Sequence, residues 1–316
     1  MDKVKFGNTD LLVSRLCFGT LTMGPLQKKL KISEGAKLLS YAYEKGINFI
    51  DTAELYNTYP YIKESINISG FRPIICTKSY AYDKKTAKFS LEKALNEMNI
   101  DYIDIFLLHE QESDLTIKGH YEAIEYFLKA KQEGFIKHFG ISTHFVSGVL
   151  AALKYKEIEV IHPIFNFKGI GIVDGDIKSM YDAIKLAYNN GKGIFAMKAL
   201  GGGNLLKDYH EALSFILSCK EIHSVAIGMQ DFSEIDMNIE VFNNGVKNIN
   251  QEKLNSIIKN KKLHIEEWCS LCGECVKHCH QNALIIENNK LKIEYDKCLT
   301  CGYCSTYCKN MAIKII

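Results

Sequence analysis

Over the first 245 positions, short apolar, β-branched runs alternate with longer stretches whose apolar residues recur at helical spacing. The short runs predict strands at Leu16–Phe18, Asn48–Thr52, Ile74–Lys78, Ile103–His109, Ile136–Thr143, Val160–Asn166, Gly193–Ala199 and Ser224–Met229. A helical pattern follows each, most clearly at Ser33–Lys45, Lys84–Met98, Lys118–Glu133, Ile177–Asn189 and Glu234–Phe242. Gly46, Gly134 and Gly191 stand where a left-handed residue can end a helix. Eight strand–helix pairs predict an α/β fold, a (β/α)8 TIM barrel. Ahead of it, Lys3–Phe6 and Leu11–Ser14 flank the turn-rich Gly7-Asn8-Thr9-Asp10, an N-terminal β-hairpin expected to close the barrel bottom. The organisation expected is a barrel over 1–245, a Lys/Asn-rich linker with a helix inside it over 246–264, and a small cysteine-rich domain over 265–316.

A chain of 316 residues with 47% apolar content can bury one large core and support a small second domain. Net charge is +2 with acidic and basic residues mixed, so no surface for nucleic acid is expected. The sequence MDKVKFGNTDLL lacks the apolar core of a signal peptide, and no run approaches a membrane span, so the expectation is a cytoplasmic protein. Cys17, Cys76 and Cys219 sit in apolar surroundings and read as small buried side chains.

The other eight cysteines form two matching runs: Cys269, Cys272, Cys275, Cys279, then Cys298, Cys301, Cys304, Cys308. Three cysteines, each separated by two residues, let one short loop wrap three corners of an inorganic cube. Structural zinc would favour two pairs split by a longer loop, and disulfides a secreted scaffold. Gly273 matches Gly302, and Ala283 matches Ala312, so the module is internally duplicated. The runs resemble bacterial ferredoxins with two [4Fe-4S] clusters, which implies a small ferredoxin-like α+β domain. The resemblance gives one cluster to Cys269, Cys272, Cys275 and Cys308, and the other to Cys298, Cys301, Cys304 and Cys279. His280 and Lys309 stand where ferredoxins usually place proline.

Barrel active sites gather at the C-terminal ends of strands. Asp51 closes the second strand, Tyr56 follows in the adjacent loop, Lys78 ends the third and His109 the fourth. A lysine at the rim of an apolar strand needs a carboxylate, and Asp51 is the nearest candidate. Such an ammonium beside Tyr56 favours phenolate, so the phenol is expected to exchange its proton more readily. Taken singly, Asp51 reads as a helix cap, Tyr56 as a loop tyrosine, Lys78 as a surface cation and His109 as a core histidine. All four together at successive strand ends read as a site.

These stretches resemble the aldo-keto reductase family: Asp51-Thr52-Ala53-Glu54-Leu55-Tyr56 matches its DTAxxY motif, Thr77-Lys78 its TK, and Leu107-Leu108-His109 its LLH. The resemblance implies hydride transfer between NAD(H) or NADP(H) and a carbonyl or alcohol substrate. Tyr56 is then the general acid, tuned by Lys78 and Asp51, and His109 orients the carbonyl. It places the nicotinamide carboxamide near Ser142 and Asn166, with Thr143 where an asparagine is often found. The pyrophosphate falls at Lys198, Leu200, Gly201 and Gly203, whose bare backbone N–H groups suit an anion, and adenosine at Gly228 and Asn238. Met197 replaces a tyrosine that stacks on nicotinamide in many members. Neither Gly228 nor Glu234 is basic, so nothing here attracts a 2′-phosphate. Tyr80, Tyr82, Glu110 and Phe145 are expected around the substrate mouth.

Nicotinamides move electron pairs and cubane clusters single electrons, and no flavin signature is evident to join them. Three readings stay open: a carbonyl reductase whose cluster domain shapes the mouth, an electron-transfer enzyme relaying electrons from a ferredoxin or flavoprotein partner, and a non-catalytic redox sensor.

Overall fold

In the computed structural model, which describes residues 1–316 except the side chain of Asn248, the N-terminal hairpin pairs β1 (Lys3–Lys5) with β2 (Leu12–Ser14). Eight parallel strands then close on themselves: β3 (Leu16–Gly19), β4 (Phe49–Asp51), β5 (Ile74–Ser79), β6 (Ile103–Leu108), β7 (Ile136–Thr143), β8 (Val160–Pro163), β9 (Gly193–Met197) and β10 (Ser224–Gly228), which returns to β3. The expected (β/α)8 barrel is the observed one. Its strands are apolar on both faces because helices cover the outside while alternate side chains fill the inside; every residue of β6 is buried.

The hairpin plugs the barrel bottom. Phe6, fully buried, meets Phe49 at 5.7 Å between ring centroids and Phe195 at 6.0 Å. A Cβ on Gly193 would come within 2.8 Å of the Phe6 ring, so β9 starts with the one residue that leaves room. Cys17 and Cys76 share this interior, and burial pushes both thiols well up, as suits inert packing residues.

Several boundaries differ from the expectation. The helix expected at Lys118–Glu133 is two helices, Asp114–Gly119 and Tyr121–Gln132, broken at His120, whose ring Nδ1 bonds the Thr116 carbonyl at 2.6 Å. The strand expected to reach Asn166 ends at Pro163, which has no N–H for the ladder, leaving one bridge between Ile164 and Met197. β9 ends at Met197 because Lys198 takes φ +57°. Gly46, Gly134 and Gly191 do take positive φ.

Past the barrel, helix Gln251–Lys259 buries Leu254 and Ile257. β11 (Leu263–Ile265) pairs with the last strand, and β12 (Leu284–Glu287) with β13 (Lys290–Ile293) across Asn288 and Asn289, both at positive φ. β14 (Ile313–Ile315) closes the module, with Lys314 opposite His264. This cysteine-rich module sits on the barrel mouth. Gln27 donates to Glu266 at 2.7 Å, Asn204 to the Ile313 carbonyl at 3.0 Å, and a Cβ on Gly203 would stand 1.9 Å from the Ile315 carbonyl oxygen. Among the described residues no helix is long and apolar enough to cross a membrane.

The plug predicts that Phe6→Ala lowers unfolding free energy by about 3–5 kcal/mol, the cost of emptying a buried aromatic site. Denaturant unfolding followed by far-UV circular dichroism checks it, and a shift under 1 kcal/mol would show that the hairpin adds little.

Candidate active site

β4 and β5 are neighbours in register, so their C-terminal ends bring Asp51 and Lys78 together. Lys78 Nζ donates to Asp51 Oδ1 at 2.6 Å and to the Thr52 carbonyl at 2.8 Å, and both side chains are almost wholly buried. The short turn Glu54–Tyr56 after β4 carries the Tyr56 ring over the ammonium, 5.1 Å from Nζ to centroid. His109 follows β6 and meets Tyr56 edge-on at 6.0 Å, while Tyr80 stacks on its other side at 4.5 Å and donates to Glu110. The structure thus brings all four barrel-rim residues into one cluster.

Burial would lower the Lys78 pKa, but Asp51, Tyr56 and Cys76 together outweigh it and hold the ammonium above its ordinary value. Burial pushes the Asp51 carboxyl up against the pull of Lys78. The phenol of Tyr56 corrects the expectation. Burial pushes it up to about 12, against the opposing pull of Lys78 and with help from Asp51 and Glu110. His109 is held well below 6.5 by burial, then by Lys78 and Lys198, so its ring is neutral, and its buried Nδ1 has no hydrogen-bond partner. Sequence reading missed His162. It closes the pair from below, with Nδ1–H donating to the Phe195 carbonyl at 2.6 Å and Nε2 3.8 Å from Asp51. It stands one residue before the end of β8, on the barrel interior, a placement its strand position already carried.

One cleft of about 160 Å³ runs from Asp51 and Tyr56 past Met197 and Lys198 to Glu234 and Asn238. Residues Lys314–Ile316 form part of its wall and narrow it. Lys198, Leu200, Gly203, Gly228 and Asn238 line it, so it joins the rim cluster to the segments expected to hold a dinucleotide. The donor set fits such a group only in part. Ser142 Oγ accepts from the Glu110 N–H at 2.9 Å, and the Asn166 amide is engaged at both ends by the Ile170 backbone. Asn238 donates to the Glu234 carbonyl and accepts from Tyr209. Gly201 and Gly203 N–H groups already bond the Lys198 and Leu200 carbonyls at 2.8 and 2.9 Å, so the expected bare amides are taken. Gly228 is covered by Thr22, whose Cγ2 would lie 2.1 Å from a Cβ there. Lys261 pairs with Glu234, adding a cation the barrel sequence lacks, but one neutralised on the spot.

The cysteines divide between two cavities in crossed order. Cys269, Cys272, Cys275 and Cys308 line one of about 510 Å³, and Cys279, Cys298, Cys301 and Cys304 another of about 260 Å³. Among the described residues no three potential ligands converge on a single ion's position. Gly273 and Gly302 take φ +79° and +78° at the start of matching helical turns, and Ala283 and Ala312 donate N–H to the sulfurs of Cys279 and Cys308 at 3.3 and 3.2 Å. Burial first, then crowding by other thiols, pushes Cys275 up to about 11 and Cys304 up to about 12. Such a nest of crowded thiols, held protonated when empty, suits a cationic iron centre, which would reverse the shift.

The family model "Aldo/keto reductase family" matches residues 15–270, and "4Fe-4S dicluster domain" matches residues 261–309. An uncharacterized oxidoreductase of Bacillus subtilis is 31% identical over 158 residues, 45% of this chain and about half (49%) of that relative's length. L-galactose dehydrogenase of Arabidopsis thaliana is 23% identical over 280 residues, 74% of this chain and 85% of the relative. The solved aldo-keto reductase of Bacillus halodurans in its holo form is 22% identical, with a TM-score of 0.66 over 82% of this chain and 96% of that one, a likeness of fold. A closed barrel with a cysteine-lined module on its mouth, matched by both models, makes this chain a member of the aldo/keto reductase family that carries a 4Fe-4S dicluster domain.

Proposed function

We propose that the barrel transfers hydride between a nicotinamide cofactor and a small carbonyl or alcohol substrate, with Tyr56 as the proton donor and acceptor. The observation that carries this reading is the buried Lys78–Asp51 pair beneath a phenol that opens, beside a neutral imidazole, into the cleft. A dihydronicotinamide in the cleft would supply the hydride, and two [4Fe-4S] clusters in the cysteine cavities would supply one-electron chemistry.

Tyr56 keeps its proton at neutral pH because burial raises its pKa, which makes it a donor to a more basic alkoxide. The phenolate left behind faces the Lys78 ammonium, which Asp51 and the Thr52 carbonyl hold in place. His109, neutral and edge-on to Tyr56, would offer a ring N–H to the carbonyl oxygen. Lys198, Leu200 and Gly203 line the cleft between the two ends of the cofactor path, with Gly228 and Asn238 at its adenosine end. Ser142 and Asn166 act from behind the wall, by fixing the loops that shape it. Lys261 being neutralised by Glu234, a 2′-phosphate gains no free cation there, and comparable affinities for NADH and NADPH follow.

A second reading, an electron relay through the clusters, is favoured by Cys308 and Lys309 sharing a cavity with the barrel loop Gly169–Val173. Cluster absorbance that bleaches and recovers during turnover separates it from hydride transfer, in which the spectrum stays constant.

Anaerobic assays of cluster-loaded protein with both nicotinamides test the main reading. Tyr56→Phe lowers kcat by about 10²–10⁴-fold with cofactor affinity retained; a fully active variant would sink it. With the phenol titrating near 12 and His109 well below 6.5, kcat for carbonyl reduction is level from about pH 6.5 to 9. In Lys78→Met the group that pulls both pKa values down is gone, so the phenol and the Asp51 carboxyl rise further and kcat falls; a variant with wild-type kcat contradicts this assignment. Cys279→Ala should disrupt the cluster shared with Cys298, Cys301 and Cys304 and spare that of Cys269, Cys272, Cys275 and Cys308. Iron content and paramagnetic resonance of the reduced protein read this, and loss confined to the cluster of Cys269 would refute the crossed pairing.

A further inference from the structure

We propose that Lys314 of β14, with Lys198 at the end of β9, forms an oxyanion receptor in the barrel mouth that takes a phosphate or carboxylate group of a bound ligand. Lys314 is 3% exposed, its side chain lines the cleft shared with Tyr56, and its Nζ has no hydrogen-bond partner among the described residues. The side chain lies along Gly202, where a Cβ would stand 2.7 Å from Cδ and 3.3 Å from Nζ. A glycine at φ +66° is thus what lets the ammonium settle onto the loop.

Lys198 lines the same cleft, and its Nζ donates to His144 Nε2 at 3.3 Å. Among the described residues no carboxylate lies within ion-pair distance of either lysine. The nearby acids are otherwise engaged: Glu266 accepts from Gln27 at 2.7 Å and faces His264 at 3.5 Å, and Glu110 accepts from Tyr80 at 2.7 Å. Burying an unpaired ammonium costs several kcal/mol, and a pair of them adds repulsion. Burial and Lys198 accordingly push Lys314 well below its ordinary pKa. An entering oxyanion would relieve both costs at once.

The loop cannot do this alone. Its Gly201 and Gly203 N–H groups bond carbonyls within the loop, and the Ile315 carbonyl covers Gly203. Positive potential at this part of the cleft therefore comes from side chains, and one of them belongs to the cysteine-rich module. Lys314 is placed by the pairing of β14 with β11, a few residues beyond Cys308, so the module would contribute a binding group to the barrel. The phosphates of a dinucleotide and the carboxylate of an acidic substrate such as a 2-oxo acid share the required chemistry. The inference deepens the hydride-transfer reading, since both use one cleft.

Isothermal titration of anaerobic, full-length, cluster-loaded protein tests it with three probes: inorganic pyrophosphate, oxamate and NADPH. Lys314→Met should weaken pyrophosphate or oxamate by about 10–100-fold, the worth of a charge-assisted contact, and Lys314→Arg should recover most of it. Pyrophosphate and NADPH weakening together assigns the group to the dinucleotide; oxamate weakening with NADPH unchanged assigns it to a substrate carboxylate. Lys314→Met with wild-type affinity for all three, or a wild type that binds none, overturns the proposal. Iron content and visible absorbance report whether each variant keeps its clusters, and Lys198→Met, read the same way, stands in if Lys314→Met loses them. Because these are affinities without turnover, oxyanion binding through Lys314 in an enzyme inert toward carbonyls would sink hydride transfer alone.

Discussion

The rim of this barrel is organised by one buried ion pair. Lys78 and Asp51 are both removed from water, an arrangement that persists only because each satisfies the other at 2.6 Å and the Thr52 carbonyl takes a second ammonium proton. Removing either partner would leave a buried charge uncompensated, at a cost of about 3–5 kcal/mol. Everything near the pair answers to it. The Tyr56 ring lies over the ammonium, His162 stands under the carboxylate, and the cation helps keep His109 neutral.

Burial and charge act against each other at Tyr56, and burial wins. The site therefore presents a firmly protonated phenol next to a fixed cation, and the ammonium matters most once the proton has left. At the mouth burial and charge act together: with Lys198 they hold His144 and His109 neutral and push Lys314, desolvated without a counter-ion, well down. The basic groups of the cleft arrive from two separate parts of the chain.

The cysteine-rich module is built by duplication down to its strained residues. Leu271 and Thr300 take left-handed φ at matching places, as do Asn282 and Met311, alongside Gly273 and Gly302. Residues with side chains rarely adopt that conformation, so its recurrence shows how sharply the loop must turn to array its sulfurs around a volume. Met311 is also where the module meets the barrel: its sulfur lies 3.9 Å from Lys198 Nζ, and a Cβ on Gly171 would reach it at 2.0 Å.

Local pattern determined a great deal here. Strand and helix periods carried the barrel, because a parallel strand buried on both faces has to be apolar throughout, and cysteine spacing carried the module, because a short loop can only reach so far. The rim cluster was legible because neighbouring strands in a barrel align their ends, so Asp51, Tyr56, Lys78 and His109 needed only their strand positions to be gathered. The direction of the Tyr56 shift was not legible, since it depends on how completely other segments exclude water. Nor was the internal engagement of Ser142, Asn166 and Asn238, whose partners are set by loop conformation. Lys261 and Lys314 reach the cleft from far along the chain, and no period or motif near Glu234 or Gly202 announces them. Tertiary structure alone decided those, because desolvation and pairing energies depend on distance in space, which sequence separation does not encode.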